Sequence, residues 1–383
     1  MESKDQATAW MARALALAER GRTTVTPNPL VGCVIVRDQK VLGEGWHKQA
    51  GQGHAEVEAV KNAVENGNDI SGADCYVTLE PCSHTGRTPP CAQLLIDNKV
   101  GRVFFAARDP NPLVAGRGLA MLEAKGIAIH GPILEAQALW QNRGFFKAMQ
   151  HKRPWVMLKQ AMSLDGRIAM ASGESEWITG PAARADVQRL RAGCCAMLTG
   201  VGTILYDNPS LTVRDHAALG MLPSQILRQP AHYILCGSQF SDLLAKSGTL
   251  RLFQTPDTKL TILLDEKYFT EAAEQHFKSL QATWPREVVL KKFTNFDSLF
   301  AQMSNEQIRY LMVEGGGRLA GSLIESDAVD ELMLYQADTL LGASAQPAFN
   351  FSISDMTQQK RLQLHSKRKV GDDTRLQYLL RKA

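Results

Sequence analysis

The sequence predicts two consecutive α/β domains, over residues 1–150 and 151–383. Three observations carry this. A chain of 383 residues is too long for one ordinary hydrophobic core. Strand-like runs alternate with runs of helical period in both halves, the signature of layered α/β structure. The pattern restarts after His151-Lys152-Arg153-Pro154, which reads as a linker although composition hardly changes there.

In the first half, residues 5–20 place Met11, Ala14, Leu15 and Ala18 at helical spacing and stop at Gly21. Thr26-Pro27-Asn28-Pro29 excludes regular structure. Residues 30–37 and 40–46 read as a strand and its hairpin partner. A helix over 54–66, a strand over 74–79, a loop over 80–90 and a helix over 91–98 follow. Then come a strand over 103–107, a helix over 116–125, a strand over 127–129 and one closing helix over 133–148. In the second half, strands are expected at 155–161, 194–199, 231–235, 260–264, 309–314 and 331–337. Helices are expected at 184–192 and 319–325. A final hairpin, 361–369 with 375–380, turns at Gly371-Asp372-Asp373.

Composition excludes some classes of function. The net charge of +4 is small for this length and gives no electrostatic reason for a nucleic-acid or membrane partner. The basic run Lys367-Arg368-Lys369 reads as the exposed edge of the final hairpin. No apolar run reaches the roughly 18 residues of a membrane span, and no leader pattern opens the chain, so a cytoplasmic protein is expected. Seven scattered cysteines argue for a reducing compartment. Cys33, Cys75, Cys194, Cys195 and Cys236 lack ligand spacing and read as small buried hydrophobes.

Two cysteines do have chemistry-bearing neighbours. His54-Ala55-Glu56 opens a helix, Pro81-Cys82 follows a strand, and Cys91 opens the next helix. One imidazole and two thiolates form a three-ligand set for catalytic Zn2+, with the fourth position left to water. Zinc lowers the pKa of that water from about 16 to about 7. Glu56 lies two residues from the ligand His54, near the metal without ligating it. It is the expected catalytic proton carrier from the water to a ring nitrogen and a leaving amine. The signature of zinc nucleobase deaminases is H-x-E followed by P-C-x-x-C. This chain departs from it: eight residues, 83–90, separate the cysteines. The bland alternatives are a structural zinc, for which His84 is the one nearby fourth ligand, and buried free thiols.

The second half offers weaker signals. Asp165-Gly166 turns the chain after a strand, and Gly315-Gly316-Gly317 joins a strand to a helix. Such a turn lets backbone N–H groups approach an anion, with Arg318 and Ser322 adding side-chain contacts. A plain tight turn explains the same residues, and the G-x-G-x-x-G fingerprint of a Rossmann site is absent.

Taken together, Thr26-Pro27-Asn28-Pro29-Leu30-Val31-Gly32-Cys33-Val34, Gly45-Trp46-His47, His54-Ala55-Glu56 and the run from Pro81 to Cys91 resemble the bifunctional deaminase/reductase family of riboflavin biosynthesis. Gly86-Arg87-Thr88-Pro89-Pro90 inside the long spacer separates that family from tRNA and cytidine deaminases. In the second half, Leu158-Lys159-Gln160-Ala161-Met162-Ser163-Leu164-Asp165-Gly166, Asp207-Asn208-Pro209 and Glu314-Gly315-Gly316 resemble its reductase part.

The resemblance implies a cytidine-deaminase-like three-layer domain followed by a dihydrofolate-reductase-like α/β domain. It implies that Asn28, His47 and His84 line a pyrimidine pocket. Asn28 is chemically suited, with a donor and an acceptor on a proline-stiffened loop, although Asn-Pro is also ordinary turn chemistry. Either histidine serves equally well as a satisfied core or surface residue. NADPH is expected at Ala161, Trp177, Thr203, Asp207, Gly316, Gly317, Arg318, Leu319, Ala320, Gly321 and Ser322. A phosphoribosyl substrate is expected at Lys159, Ser175, Arg191, Leu211, Arg214 and Glu314. In that reading Lys159 meets the sugar hydroxyls or the imine being reduced. Arg191 and Arg214 are a chemically sensible bidentate phosphate pair. Around 216–259 the match is poor: Leu235-Cys236-Gly237-Ser238 stands where the family has a strand ending in Asp-Ser.

The implied activity is zinc-dependent hydrolytic deamination of 2,5-diamino-6-(5-phosphoribosylamino)pyrimidin-4-one. NADPH-dependent reduction of the ribosyl side chain to ribityl follows. The partners expected are this small molecule and further copies of the chain, as a dimer or tetramer, with no nucleic acid and no membrane. Two rivals make different demands. A tRNA or nucleic-acid deaminase with an appended nucleotide-binding domain needs a basic surface. A non-catalytic zinc and nucleotide-binding module needs no Glu56.

Overall fold

Five strands build the sheet of the first unit, Met1–Lys152: β1 (Gly32–Arg37), β2 (Lys40–Trp46), β3 (Asp74–Val77), β4 (Arg102–Phe105) and β5 (Ala128–His130). Their order is β2-β1-β3-β4-β5. β1 runs antiparallel to both neighbours, and β3, β4 and β5 are parallel. The computed structural model describes residues 4–83, 90–111, 115–220, 228–255 and 258–380. Helices of this unit are α1 (Lys4–Glu19), α2 (Ala55–Glu65), α3 (Cys91–Asp97), α4 (Arg117–Glu123), α5 (Glu135–Gln141) and α6 (Arg143–His151).

The period of two in β1 creates two cores. Cys33 and Ile35 pack with Ala59 and Ala63 of α2, Leu95 of α3 and Leu122 of α4. Val34 and Val36 pack on the other face with Met11 and Ala14 of α1, Ala138 of α5 and Phe146 of α6. The result is three layers, helix–sheet–helix. Glycines set how close α2 comes. A Cβ on Gly45 would lie 2.5 Å from Ala59 N, and one on Gly43 2.3 Å from Ala59 O. That close approach brings the start of α2, where His54 and Glu56 stand, down onto the sheet. The expected single helix over 133–148 is two helices. Asn142 leaves helical dihedrals (φ −104°, ψ 18°) while its side chain bonds elsewhere.

The second unit, Arg153–Ala383, carries β6 (Trp155–Met162), β7 (Arg167–Ala169), β8 (Ala196–Gly200), β9 (Ala231–Cys236), β10 (Leu260–Asp265), β11 (Val288–Phe293), β12 (Tyr310–Glu314), β13 (Glu331–Gln336), β14 (Gln346–Pro347), β15 (Leu362–Val370) and β16 (Asp373–Leu380). Its helices are α7 (Pro181–Ala192), α8 (Val201–Asp207), α9 (Phe240–Lys246), α10 (Arg251–Gln254), α11 (Glu271–Gln281), α12 (Phe296–Asn305) and α13 (Gly317–Glu325). The large sheet has the order β11-β10-β9-β8-β12-β6-β13-β16-β15. Its pairs from β11 to β13 are parallel, and the terminal hairpin closes it antiparallel.

Alternation again splits the residues between two faces. Val156, Leu158, Leu311 and Val313 pack against α12 and α13, while Met157, Met197, Met312 and Met333 pack against α7. Because β6, β8 and β12 are parallel neighbours, their C-terminal ends converge. The crevice outside such ends is where open α/β sheets bind ligands.

Candidate active sites

In the first unit, His54 is the N-cap of α2 and Cys91 is the first residue of α3. His54 Nδ1 lies 3.2 Å from Cys91 Sγ and 3.7 Å from Cys82 Sγ. All three ligand atoms fall within 4.8 Å of one another, the one such cluster of His, Cys and carboxylate groups among the described residues. Zinc bonds of about 2.3 Å to sulfur and 2.0–2.1 Å to nitrogen, arranged tetrahedrally, put neighbouring donors about 3.5–3.8 Å apart. The donor set and its spacing therefore fit zinc. The Cys91 thiol and the His54 ring hydrogen-bond to Cys82 and, against its burial, hold it well below the usual thiol range, at about 4. The Cys91 backbone N–H also donates to Cys82 Sγ at 3.3 Å. One thiolate is thus favoured before any cation contributes.

Glu56, on the first turn of α2, is buried. Burial pushes its carboxyl up and Cys82 adds to this, whereas His54 opposes it, leaving a value of about 7. A carboxyl near neutrality both takes and returns a proton. His47 packs edge-on against His54, with ring centroids 5.4 Å apart. Its Nδ1–H donates to Gly53 O at 2.9 Å, so Nε2 accepts from Asn28 Nδ2 at 3.0 Å. Burial lowers the His47 pKa, which agrees with this neutral tautomer. Asn28, His47 and the metal cluster are therefore contiguous. His84 lies outside the described residues.

Sequence reasoning missed three groups that hold this site. Glu80, buried beside Pro81-Cys82, accepts backbone N–H bonds from Gly116 (3.0 Å), Asp109 (3.3 Å) and Gly118 (3.3 Å). Gly118 lies against Pro81, and a Cβ there would be 1.8 Å from Pro81 O. Asn142 binds the backbone of Leu30. The Glu-Pro-Cys order was the available signal for Glu80; the other two carry none. Gly118→Ala is expected to displace Pro81-Cys82 and cost about 1–3 kcal/mol by overpacking. Thermal unfolding and metal analysis check this. A variant with wild-type Tm and zinc content would show that the contact relaxes freely.

The expected buried thiols are found: Cys33, Cys75, Cys194 and Cys236 are buried and Cys195 is half-buried. Cys33 and Cys75 place their sulfurs 3.5 Å apart.

The second unit contains a cleft of ≈ 1330 Å³ at the C-terminal ends of β6, β8 and β12. Lys159 and Ala161 of β6, Thr203 and Asp207 of α8, and Glu314 at the end of β12 line it. So do Gly316, Gly317, Arg318, Leu319 and Ser322 of the Gly-rich turn and α13. Ser175, Trp177, Arg191, Leu211 and Arg214 complete the expected set. Gly200 caps α8 and Gly316 caps α13, so two helix N-termini open at the ends of adjacent strands. Gly237 and Ser238, from the poorly matching stretch, also reach the cleft.

Two expectations change. Ala320 and Gly321 do not line the cleft. Ala320 is fully buried in the core, and Gly321 is pressed to Asn350, where a Cβ would meet its carbonyl at 2.0 Å. Arg191 is not poised as a bidentate phosphate ligand. Its Nε and Nη2 already hold Glu314 Oε1 and Oε2 at 2.6 and 2.9 Å, and Nη1 reaches Thr212 O at 3.4 Å. Arg214, exposed and 3.2 Å from Ser210 Oγ, remains the cation nearest to solvent in this group. Burial alone would raise Glu314; Arg191 and Lys159 reverse this and hold it at about 2. Lys159 Nζ stands 3.7 Å from Glu314 Oε2 and 6.0 Å from the Tyr335 ring centre. Its pKa is lowered by burial.

The loop before this group is also clamped from outside. Gln229 exchanges two hydrogen bonds with the Val213 backbone, at 2.9 and 2.7 Å. Buried His232 reaches Leu211 O at 3.2 Å.

Fold and sites define a two-part enzyme, a zinc-type hydrolytic deaminase joined to an α/β oxidoreductase. Comparison with known proteins agrees. Residues 4–107 match the cytidine and deoxycytidylate deaminase zinc-binding region, and residues 154–376 match the RibD C-terminal domain. The riboflavin biosynthesis protein RibD of Escherichia coli strain K12 is 44% identical over 347 residues, covering 88% of this chain and 89% of its own. That of Haemophilus influenzae is 42% identical over 383 residues, covering 99% and 98%. Among solved structures, Acinetobacter baumannii RibD form 1 superposes with a TM-score of 0.86 at 39% identity over 99% of both chains. A diaminohydroxyphosphoribosylaminopyrimidine deaminase/5-amino-6-(5-phosphoribosylamino)uracil reductase from Thermotoga maritima gives 0.84 at 29% identity over 98% of both. The chain belongs to the RibD family, the bifunctional deaminase/reductases of riboflavin biosynthesis. This decides against the nucleic-acid deaminase and the non-catalytic module. No helix of the described residues is long and apolar enough to cross a membrane.

Proposed function

We propose that the first domain, residues 1–150, deaminates 2,5-diamino-6-(5-phosphoribosylamino)pyrimidin-4-one. The second, residues 151–383, then reduces the product's ribosyl group to ribityl with NADPH. The observation that carries the first half is the convergence of His54, Cys82 and Cys91 beside the buried carboxyl of Glu56. His54 Nδ1 and the two thiolates are the proposed zinc ligands. Zinc, when bound, supplies the acidity that makes water a nucleophile at neutral pH. Glu56 takes that proton and delivers it to the ring nitrogen and then to the leaving amine. Asn28 and His47 hold the pyrimidine edge, and His84 is proposed beside them.

For the second half, two helix N-termini in one cleft favour the phosphates of a dinucleotide. Ala161, Trp177, Thr203, Asp207, Gly316, Gly317, Arg318, Leu319 and Ser322 are the proposed NADPH contacts. The cofactor, when bound, supplies a hydride for C1′ of the sugar. The cleft residues would hold cofactor and sugar in near-attack contact. Lys159 and Ser175 face the sugar, Arg214 takes its phosphate, and Glu314 and Leu211 close the site. Both reactions are proposed for a cytoplasmic homo-oligomer.

Mass spectrometry of the diaminopyrimidine ribotide after incubation tests the pair. A gain of about 1 mass unit without cofactor, and about 2 more with NADPH, is the expected result; hydride plus proton accounts for the second. No change in either arm would refute the reading.

A further inference from the structure

β1 exchanges hydrogen bonds with the β3 side of the sheet as far as Gly32. There Thr78 N–H donates to Gly32 O, and Gly32 N–H donates to Thr78 Oγ1, both at 3.1 Å. Beyond this point the strands part. Glu80 N–H turns to Ala107 O at 2.9 Å, and the chain leaves towards Cys82. Leu30, two residues before β1 and the next position whose backbone faces this side, has no strand partner there.

Asn142 replaces the partner. Leu30 N–H donates to Asn142 Oδ1 and Asn142 Nδ2 donates to Leu30 O, each at 2.8 Å. One buried side-chain amide thus reproduces the paired exchange of an antiparallel ladder. On the other side of the same segment, His47 N–H donates to Val31 O at 2.9 Å. Two residues before Leu30, Asn28 donates to His47 Nε2.

We infer that Asn142 is a positioning residue for deamination. It replaces the missing strand at the point where the sheet opens for the metal loop, and so fixes the segment that carries Asn28. This rests on the reading of Asn28 as a pyrimidine contact. The α5–α6 junction does not need the amide for its own integrity: Asn142 N–H bonds to Ala138 O at 3.1 Å, and Asn142 O accepts from Phe146 N–H at 3.0 Å. Both bonds use backbone only.

The test uses full-length enzyme and a double-mutant cycle. Asn142→Leu keeps the branching and number of side-chain heavy atoms and removes both bonds. Its kcat/KM for deamination is expected to fall about 10- to 100-fold, as for a misplacement on the order of 1 Å, mainly through KM. Zinc content and reduction of supplied deaminated substrate stay at wild-type levels. In an Asn28→Ala background the same change is expected to cost about twofold or less, because the two act as one unit. Asn142→Asp keeps the Leu30 N–H bond and loses the donor to Leu30 O. It falls in the same direction and serves if the leucine variant does not fold. Unchanged deamination, additive losses in the cycle, or loss of zinc in step with activity overturns the proposal. Unchanged deamination in Asn28→Ala itself overturns the pocket reading of Asn28 and this inference with it.

Discussion

Glu56→Ala is expected to abolish deamination, by about 10²- to 10⁴-fold for lost proton transfer, while reduction of supplied deaminated substrate continues at the wild-type rate. The side chain is not one of the three convergent metal donors, so metal content is expected to survive the substitution. What is lost is a buried carboxyl held near neutrality. Glu56→Gln keeps the shape and should fail equally, because an amide cannot cycle a proton. The two reactions are separable since the lining of the reductase cleft is drawn from residues 159–350, all in the second unit. Steady-state rates for each half-reaction, with circular dichroism to confirm folding, check the outcome. If both activities fell together in a folded variant, independent sites would be wrong.

The metal cluster was legible because ligand chemistry is local in sequence: a histidine at a helix start, a proline–cysteine after a strand, a cysteine at the next helix start. The parallel strands were legible where both faces are buried, as in Val156–Leu158 and Leu311–Val313. Residues 265–308 were not assigned, although they form α11, β11 and α12. The reason is physical. α11 buries only Phe277, and β11 presents Lys291 and Lys292 on a half-exposed edge, so few apolar residues mark these two elements as core; α12, which buries Leu299, Phe300 and Met303, does carry a readable pattern. The supports of the sites were illegible for another reason. Asn142 acts on Leu30 across 112 residues, and Arg191 on Glu314 across 123. No local pattern reports such partners. Arg191 entered as a phosphate contact through the family resemblance, and nothing in the sequence showed the carboxylate that neutralises it.

Glu314→Gln is expected to disable the reductase and weaken its domain while leaving deamination intact. Both oxygens of Glu314 are held by Arg191, and Lys159 stands behind them. All three side chains are largely buried. Removing the one negative charge leaves two buried cations facing each other, a change that typically costs about 3–5 kcal/mol. Lys159 is the group that yields, since its ammonium is already disfavoured by burial and by Arg191. It is expected to lose its proton at lower pH than in the wild type. A displaced Lys159 would no longer meet the sugar as proposed, so kcat/KM for reduction should fall by about 100-fold or more. The wild-type protein offers a matching signature. The folded Glu314 carboxyl, at about 2, lies below its ordinary value of 4.5. The unfolded state therefore binds the proton first as pH falls. The stabilisation is complete above about pH 4.5 and is lost progressively towards pH 2. In Glu314→Gln that acid-dependent component disappears, so its stability at neutral pH is lower but changes less on acidification. Thermal unfolding of both proteins between neutral pH and pH 3 reads this directly. Parallel curves, or a variant as stable as the wild type at neutral pH, would mean that the carboxylate does not balance the two cations.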